Sequence, residues 1–411
     1  MHILMYVAIV VSLMILKEVF SVYINKFFVL ILVSFFLITC SQKKVFFSYV
    51  VFLIPLLSGL PNNLLTFVIV VVYFVKFNDK KIPNYSLLFI LVMMIYELFH
   101  FMILPFSLYQ WVIDVLYLCL FTIMMLNSKE IVDYRDNIFK MFIFSVFIST
   151  SIILYKLLEQ YSFSEIISLG IRLGIDKTVS NGISLQWNPN SIAIFSVVSF
   201  GLFVIIDKKR IYDYLLIFFI MIYGFMTLSR NFIISFVILL LLLSIFVSFK
   251  RKISILITVL IVVITIYNFI PGIIENFIDR FLVSDLSNDR NTINSYYLHQ
   301  ILSNPLRLLF GTGMQDYQIK YNYYESIHNA IIELLACWGI CGFLFFVIMV
   351  VVMVKKVRTK FNVKGIMLLF VFILSIQASR LITTPEMLII LGMILSLSIF
   401  QKKELELKQT I

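Results

Sequence analysis

The chain is a long series of apolar segments separated by polar loops, and this pattern constrains the fold more than any single motif does. The segments lie near residues 2–20, 23–40, 45–60, 63–77, 86–105, 109–126, 139–157, 189–206, 211–228, 231–249, 253–270, 328–354, 363–380 and 385–400. Hydrophobic residues make up 62% of the sequence and charged residues 13%, which is far from the composition of a water-soluble domain. We therefore predict an all-α, polytopic integral membrane helical bundle. Several segments are shorter than a bilayer-spanning helix and neighbours can merge, so we expect about 12–14 transmembrane helices.

Basic residues cluster in every second loop. Cytoplasmic loops of membrane proteins carry the excess of Lys and Arg, so we predict that these loops and both termini are cytoplasmic. The net charge of +11 then reflects membrane topology, and we expect no nucleic-acid partner. The clusters are Lys43-Lys44, Lys76 to Lys81, Lys129 to Lys140, Lys208 to Arg210, Lys250 to Lys252, Lys355 to Lys364, and Lys402-Lys403.

The remaining loops are predicted to be extracytoplasmic. We expect one transmembrane domain over residues 1–411, with a large extracytoplasmic loop containing short helices at 271–327 and a second such loop at 158–188. The first apolar segment has no basic leader and no small-residue cleavage site, which indicates a retained span or a signal anchor. The four cysteines match neither a disulfide framework nor a zinc site.

Arginine is concentrated on the predicted outer side. Six of the ten arginines lie there, against five of the 23 lysines. The guanidinium group matches phosphate and carboxylate geometry, so this skew favours ligands of an anionic group. For Arg280 and Arg307, snorkelling to lipid headgroups or pairing with nearby aspartates explains the charge equally well. Arg230 interrupts two long apolar runs where a Gly or Asn turn has a lower desolvation cost, and this favours a functional role.

The large loop contains a predicted helix and a glycine turn. The helix runs from Ser287 to Ser303, with Arg290 in its first turn and Asn304-Pro305 after its end. The closely spaced Gly311 and Gly313 predict a tight turn whose backbone N–H groups can approach an anion. A plain turn is the more common explanation of such a pair of glycines.

His328 stands where this loop meets a very apolar segment. An imidazole titrates near neutral pH and can accept a proton from a hydroxyl group; a helix-capping histidine is the alternative. At 100° per residue, Gly339 and Gly342 return to the face of His328, so we expect a stem of small residues against which another helix packs closely. Several tyrosines nearby can stack on sugars or form an interfacial aromatic belt: Tyr317, Tyr321, Tyr323 and Tyr324.

These motifs resemble the C-terminal signature shared by O-antigen ligases and O-antigen or capsular polysaccharide polymerases. The resemblance lies in His328-Asn329-x9-Gly339-x2-Gly342, preceded by Arg290 and by Asn304-Pro305 to Gly313. Two further motifs also fit this family: Leu228-Ser229-Arg230 before one apolar span, and Asn188-Pro189-Asn190 at the start of another. The resemblance covers about residues 187–342. The first half of the chain supports it only as additional helices.

The resemblance implies metal-independent glycosyl transfer at the extracytoplasmic face of the bacterial cytoplasmic membrane, without a cofactor. The implied donor is a polyprenyl-pyrophosphate-linked oligosaccharide, and a chain-length regulator, a flippase and membrane lipid are the implied partners. Arg290 and Arg230 would hold the pyrophosphate, and His328 would take the proton of the acceptor hydroxyl. Further substrate contacts are expected from Asn329, Arg280, Gly311, Gly313 and Arg380.

Other functions remain open at this point. The polymerase and the ligase differ in acceptor, and the spans do not separate them; the Phe-, Ile- and Lys-rich composition, typical of an AT-rich genome with a variable surface-polysaccharide locus, favours the polymerase. The rival class is a transporter or flippase for lipid-linked sugars, based on Glu97, His100 and Asp114 near the outer ends of two spans. No internal repeat supports it. A nonenzymatic membrane anchor leaves the outer arginines unexplained.

Overall fold

The computed structural model of the chain is helical. It describes residues 2–59, 62–77, 84–103, 108–174, 188–246, 249–282, 290–314, 317–323, 325–356, 362–377 and 379–399, and within these ranges there is no strand. In the first half the helices are α1 (His2–Glu18), α2 (Lys26–Thr39), α3 (Lys43–Leu53), α4 (Asn62–Lys76), α5 (Asn84–Ile103), α6 (Leu108–Leu126), α7 (Ser128–Asp133), α8 (Arg135–Leu158) and α9 (Phe163–Ser168). A short 3₁₀ helix, Ile54–Gly59, extends α3.

The second half alternates long apolar helices with the short helices of the predicted outer loop. Its helices are α10 (Pro189–Ile205), α11 (Ile211–Met226), α12 (Arg230–Phe246), α13 (Phe249–Phe269), α14 (Pro271–Leu282), α15 (Arg290–Leu302), α16 (Pro305–Phe310), α17 (Tyr317–Lys320), α18 (Ala330–Lys356), α19 (Val363–Ile376) and α20 (Pro385–Ile399).

Each of the fourteen apolar segments corresponds to one of these helices. The fold is all-α and polytopic, as predicted. Three helices of the described chain are long and apolar enough to span a bilayer by themselves, Leu108–Leu126, Arg135–Leu158 and Ala330–Val352, and α13 with α14 forms a further candidate bent by 94°. Eight apolar helices are shorter. The number of spans therefore stays a prediction.

The chain divides into two compact units, each assembled from three separate stretches. Unit 1 contains residues 1–69, 136–288 and 371–379, and unit 2 contains residues 70–135, 289–370 and 380–411. In unit 1, α10 is buried from Ser191 to Ile205 on every side of the helix, so it is the central helix of that unit. In contrast, α13 exposes a stripe of Leu256, Leu260 and Ile264, the type of surface that faces lipid.

Two loops that the charge pattern assigned to one side of the membrane lie together in unit 1. Lys140 pairs with Asp213 at 2.7 Å and donates to the carbonyl of Lys208 at 2.7 Å. Asp136 accepts a hydrogen bond from the backbone N–H of Lys208 at 3.2 Å. At the other ends of these helices, Arg172 donates to the carbonyl of Thr227. The alternation of sides therefore holds here, although which side is cytoplasmic stays a prediction.

Unit 2 is built around α6 and α20. A Cβ on Gly392 of α20 would lie 2.7 Å from Cβ of Met124 on α6, so the two backbones approach more closely than a larger residue allows. Ser396 donates to the carbonyl of Met124 at 3.2 Å. The N-terminal end of α19 crosses the end of α20, where the N–H of Asn362 donates to the carbonyl of Ser398 at 3.0 Å. Small residues thus set the helix spacing, as is common in membrane bundles.

The outer-loop segment 309–313 docks against a break in α18. Gly339 has φ of 60° and ψ of −171°, which interrupts the helix. A Cβ on Gly339 would lie 2.5 Å from the backbone of Leu309 and Phe310, and a Cβ on Gly311, which has φ of 74°, would lie 2.3 Å from the carbonyl oxygen of Cys337. Each glycine therefore makes room for the backbone of the other segment, and both adopt a conformation that L residues rarely take.

Substitution of Gly311 by Ala is expected to destabilise unit 2. The added Cβ meets backbone atoms that cannot rotate away, and the positive φ adds strain, so we expect a loss of about 2–4 kcal/mol. The measurement is the thermal unfolding midpoint of the purified protein in detergent. Leu306→Ala, on an exposed position of α16, is the matched control. Equal midpoints for the two variants would contradict the interlocked packing.

Candidate active site

The outer loop of unit 2 has a core of tyrosines. Tyr297, Tyr317 and Tyr321 are almost completely buried, and the ring centroids of Tyr297 and Tyr321 are 5.3 Å apart. Tyr297 donates to the carbonyl of Glu325 at 2.8 Å, and Tyr321 donates to the carbonyl of Ala336 at 3.1 Å. Burial raises the pKa of all three hydroxyls, so they remain neutral. Tyr317 and Tyr321 therefore form the core of the loop and do not present faces for sugar stacking.

His328 lies in a short segment anchored on both sides. The N–H of Ile327 donates to the hydroxyl of Tyr317 at 3.0 Å, and Ile327 is fully buried. The side chain of Asn329 accepts from the N–H groups of Ile331 at 3.0 Å and Ile332 at 3.1 Å. Asn329 thus caps the N-terminus of α18. These contacts fix the backbone immediately before and after His328.

The structure does not have the predicted continuous helical face from His328 to Gly342. His328 precedes the first residue of α18, Ala330, and the helix breaks at Gly339. A constant rotation of 100° per residue therefore does not connect these positions. Gly339 contacts the backbone of the outer loop, and Gly342 contacts the ring of Tyr96. Close approach at the small residues does occur, and at Gly339 the partner is the C-terminal end of α16, at Leu309 and Phe310.

Two arginines act electrostatically on the imidazole of His328. Burial, and then the guanidinium groups of Arg290 and Arg380, lower the pKa of His328 from 6.5 to about 4. Arg290 is the first residue of α15, as the predicted helix placed it, while Arg380 lies in the turn between α19 and α20. At neutral pH the imidazole is consequently uncharged and able to accept a proton, in the field of two permanent cations.

A buried carboxylate holds the turn that carries Arg380. Glu333, in the first turn of α18, is fully buried. It accepts hydrogen bonds from the N–H of Leu381 at 2.6 Å, from the N–H of Ile382 at 3.3 Å and from the hydroxyl of Thr383 at 2.6 Å. The sequence analysis did not identify this residue. The available signal was an acid inside an otherwise apolar helix, five residues after His328.

The glycine turn binds the protein itself. The N–H of Thr312 donates to the carbonyl of Ala336 at 2.9 Å, and the N–H of Gly313 donates to the carbonyl of Cys337 at 2.8 Å. The N–H of Gly311 donates to the carbonyl of Arg307 at 2.8 Å. These donors are used within unit 2, which differs from the anion-binding role expected for Gly311 and Gly313.

The ionisable residues behind the transporter alternative tie elements of unit 2 together. Glu97 accepts from the indole N–H of Trp338 at 2.6 Å, and Nε2 of His100 lies 2.7 Å from the carbonyl oxygen of Phe310. Both side chains are buried. Glu97 and His100 thus connect α5 with α18 and with the end of α16. A structural role explains these two buried ionisable residues without a transport function.

Arg230 belongs to unit 1. It is the first residue of α12 and is half-buried. Next to it, Ser229 donates to the side-chain oxygen of Asn190 at 3.2 Å, and Arg172 donates to the same oxygen at 3.2 Å. The Leu-Ser-Arg and Asn-Pro-Asn motifs are thus brought together with Arg172, which is not among the site residues predicted from the sequence. The side chain of Arg280, in α14, lies beyond the part that the structure describes.

Comparison with known families finds one matching region. Residues 215–347 match the sequence model of the O-antigen ligase family, a segment that contains Arg230, Arg290 and His328, whereas Arg172 and Arg380 lie outside it. Comparison with curated proteins gives no match. The family match confirms the resemblance seen in the sequence: residues 215–347 of this multi-pass helical membrane protein are similar to the O-antigen ligase family, which is consistent with the O-antigen polymerase and ligase family.

Proposed function

We propose that the protein polymerises polyprenyl-pyrophosphate-linked oligosaccharide repeat units into O-antigen or capsular polysaccharide. The reaction is a glycosyl transfer at the extracytoplasmic face of the bacterial cytoplasmic membrane, with both termini of the chain in the cytoplasm. The observation that carries this proposal is a half-buried His328 near Arg290 and Arg380, which together with burial lower its pKa. The family match supports an enzyme that processes lipid-linked glycans.

The chemistry needs a base and a group that stabilises negative charge. The oxygen of an acceptor hydroxyl attacks the anomeric carbon of the donor sugar, and the bond from that carbon to the pyrophosphate oxygen breaks. His328 takes the proton of the hydroxyl as the new glycosidic bond forms. The polyprenyl pyrophosphate leaves with the bonding electron pair. A single displacement inverts the configuration at the anomeric carbon.

The arginines have the complementary task. Arg290 and Arg380 bind the pyrophosphate and stabilise the charge that develops on its bridging oxygen, since a fixed guanidinium in a poorly solvated site interacts strongly with phosphate. After burial, the same cations lower the pKa of His328, so one pair of charges binds the leaving group and also disfavours the imidazolium form of the base. Arg230 and Arg280 are proposed as further anion ligands from the sequence, and Asn329 orients His328 by capping α18.

An O-antigen ligase is the second candidate. It uses the same donor and transfers the glycan to a different acceptor, such as a lipid A core. The matching family is described as O-antigen ligase, and this match supports a lipid-linked glycan enzyme of either kind. A chain-length regulator and a flippase are proposed partners of either enzyme.

Reconstitution with a synthetic polyprenyl-pyrophosphate-linked repeat unit tests the proposal. We expect a ladder of glycan products from the wild type, and a decrease in kcat of about 10²–10⁴ for His328→Ala because the base is removed. For Arg290→Ala we expect a decrease of about 10²–10³. Product lengths are measured by gel electrophoresis and mass spectrometry.

The control for this assay is His299→Ala, which alters an exposed histidine of α15 and is expected to retain activity. Consumption of donor only after a different acceptor is added would identify a ligase. Movement of an unchanged substrate across a liposome bilayer would contradict the enzyme and favour the transporter. All variants must elute as the wild type does in gel filtration.

The pH dependence of turnover should follow His328. Its lowered pKa of about 4 means that the base form predominates above that pH, so the rate is expected to fall only as the pH drops through about 4. In Arg290→Gln a neighbouring cation is lost, the pKa of His328 rises, and the acid limb moves to higher pH. The position of the limb is measured from initial rates, independently of their height. An unshifted limb would contradict the role of His328 as the titrating base.

A further inference from the structure

Glu333 connects the two chain segments that meet at the proposed base. It lies five residues after His328, in the first turn of the helix that Asn329 caps. The carboxyl oxygens of Glu333 accept hydrogen bonds from the turn between α19 and α20. The donors are the three residues that immediately follow Arg380. The position of this turn relative to His328 is therefore set through one side chain.

A hydrogen bond within the turn also stabilises it. The hydroxyl of Thr384 donates to the carbonyl of Arg380 at 3.1 Å, while Glu333 accepts from three donors at 381–383. Arg380 is close enough to both Glu333 and His328 to affect each of them electrostatically. Tyr317, which accepts the N–H of Ile327, also lies within the electrostatic reach of Glu333 and Arg380.

We propose that Glu333 is a positioning residue, which acts through Arg380 by holding the 380–383 turn beside His328. This inference rests on the proposed function and deepens it, because it assigns Arg380 a fixed orientation at the same site. A carboxylate fits this task, since it has no donor and can accept all three hydrogen bonds. The backbone donors belong to the buried residues Leu381 and Ile382, so loss of the acceptor leaves them unsatisfied.

A glutamine at this position separates hydrogen bonding from charge. In Glu333→Gln the amide oxygen can still accept from the N–H groups of Leu381 and Ile382, and the NH₂ group can donate to the hydroxyl of Thr383. The turn is then retained without the negative charge. In Glu333→Ala the acceptors are lost. For Glu333→Gln we expect a kcat within about tenfold of the wild type. For Glu333→Ala we expect a kcat decrease of about 10²-fold, because displacement of a catalytic group by about 1 Å has an effect of that size.

A double-mutant cycle with Arg380→Ala tests the mode of action. If Glu333 acts through Arg380, then Glu333→Ala has no further effect on kcat once Arg380 is removed, and the double variant equals Arg380→Ala. Multiplication of the two single effects in a folded double variant would overturn the proposal, as would a Glu333→Gln variant as inactive as Glu333→Ala. If Glu333→Ala does not fold, Thr383→Val, which removes one of the three bonds, replaces it in the same cycle.

A second readout does not depend on glycosyl transfer. Modification of His328 by diethyl pyrocarbonate, followed by peptide mass spectrometry over a range of pH, reports the pKa of its imidazole. Release of Arg380 in Glu333→Ala raises that pKa, as Arg380→Ala does, whereas loss of a negative charge alone lowers it. A lowered pKa would overturn the positioning role. If the wild type transfers no sugar to any acceptor but the titration shift is found, the proposed function fails and the positioning role stands.

Discussion

The docking of the outer loop onto the broken helix α18 is the interaction on which unit 2 depends. A helix that is interrupted in an apolar environment leaves carbonyl groups without their intrahelical donors, and each unsatisfied group costs several kcal/mol. Here donors from outside the helix supply the carbonyls of Ala336 and Cys337. The hydroxyl of Tyr96 donates to the carbonyl of Trp338. The break in α18 is therefore stabilised by the docked loop. His328 lies immediately before the N-terminus of the same helix.

The electrostatics of the site follow from the same arrangement. The backbone on both sides of His328 is held by hydrogen bonds, and burial and the two nearby guanidinium groups act together on its half-buried imidazole. Burial is the main cause of the lowered pKa of His328, and the two guanidinium groups, which keep their protons, lower it further. In the proposed reaction the arriving pyrophosphate partly neutralises those cations, which makes His328 a better proton acceptor when the donor is present than when it is absent.

Much of this architecture can be predicted from the sequence, because long apolar runs have few alternatives to helices in a membrane. The end of α15 was also predictable, since Asn304-Pro305 follows it, whereas the predicted start at Ser287 lies outside the described residues. The relation of His328 to Gly339 was not, because regular periodicity does not reveal a positive φ inside a helix. The Gly-x-Gly turn was expected to bind an anion and instead binds carbonyls of α18. A motif shows that backbone donors are available, whereas only the tertiary structure shows what accepts from them.

The tyrosine core of the outer loop has a consequence for recognition. Its hydroxyl groups bond to main-chain carbonyls, and its rings are packed against one another, so the loop is folded by its own side chains. The free energy of substrate binding is then not reduced by the conformational entropy of ordering this loop. In the proposed reaction, variation in the accepted sugar then arises from residues at the periphery of the loop, while the buried tyrosines maintain the fold of the segment that contains Arg290 and leads to His328.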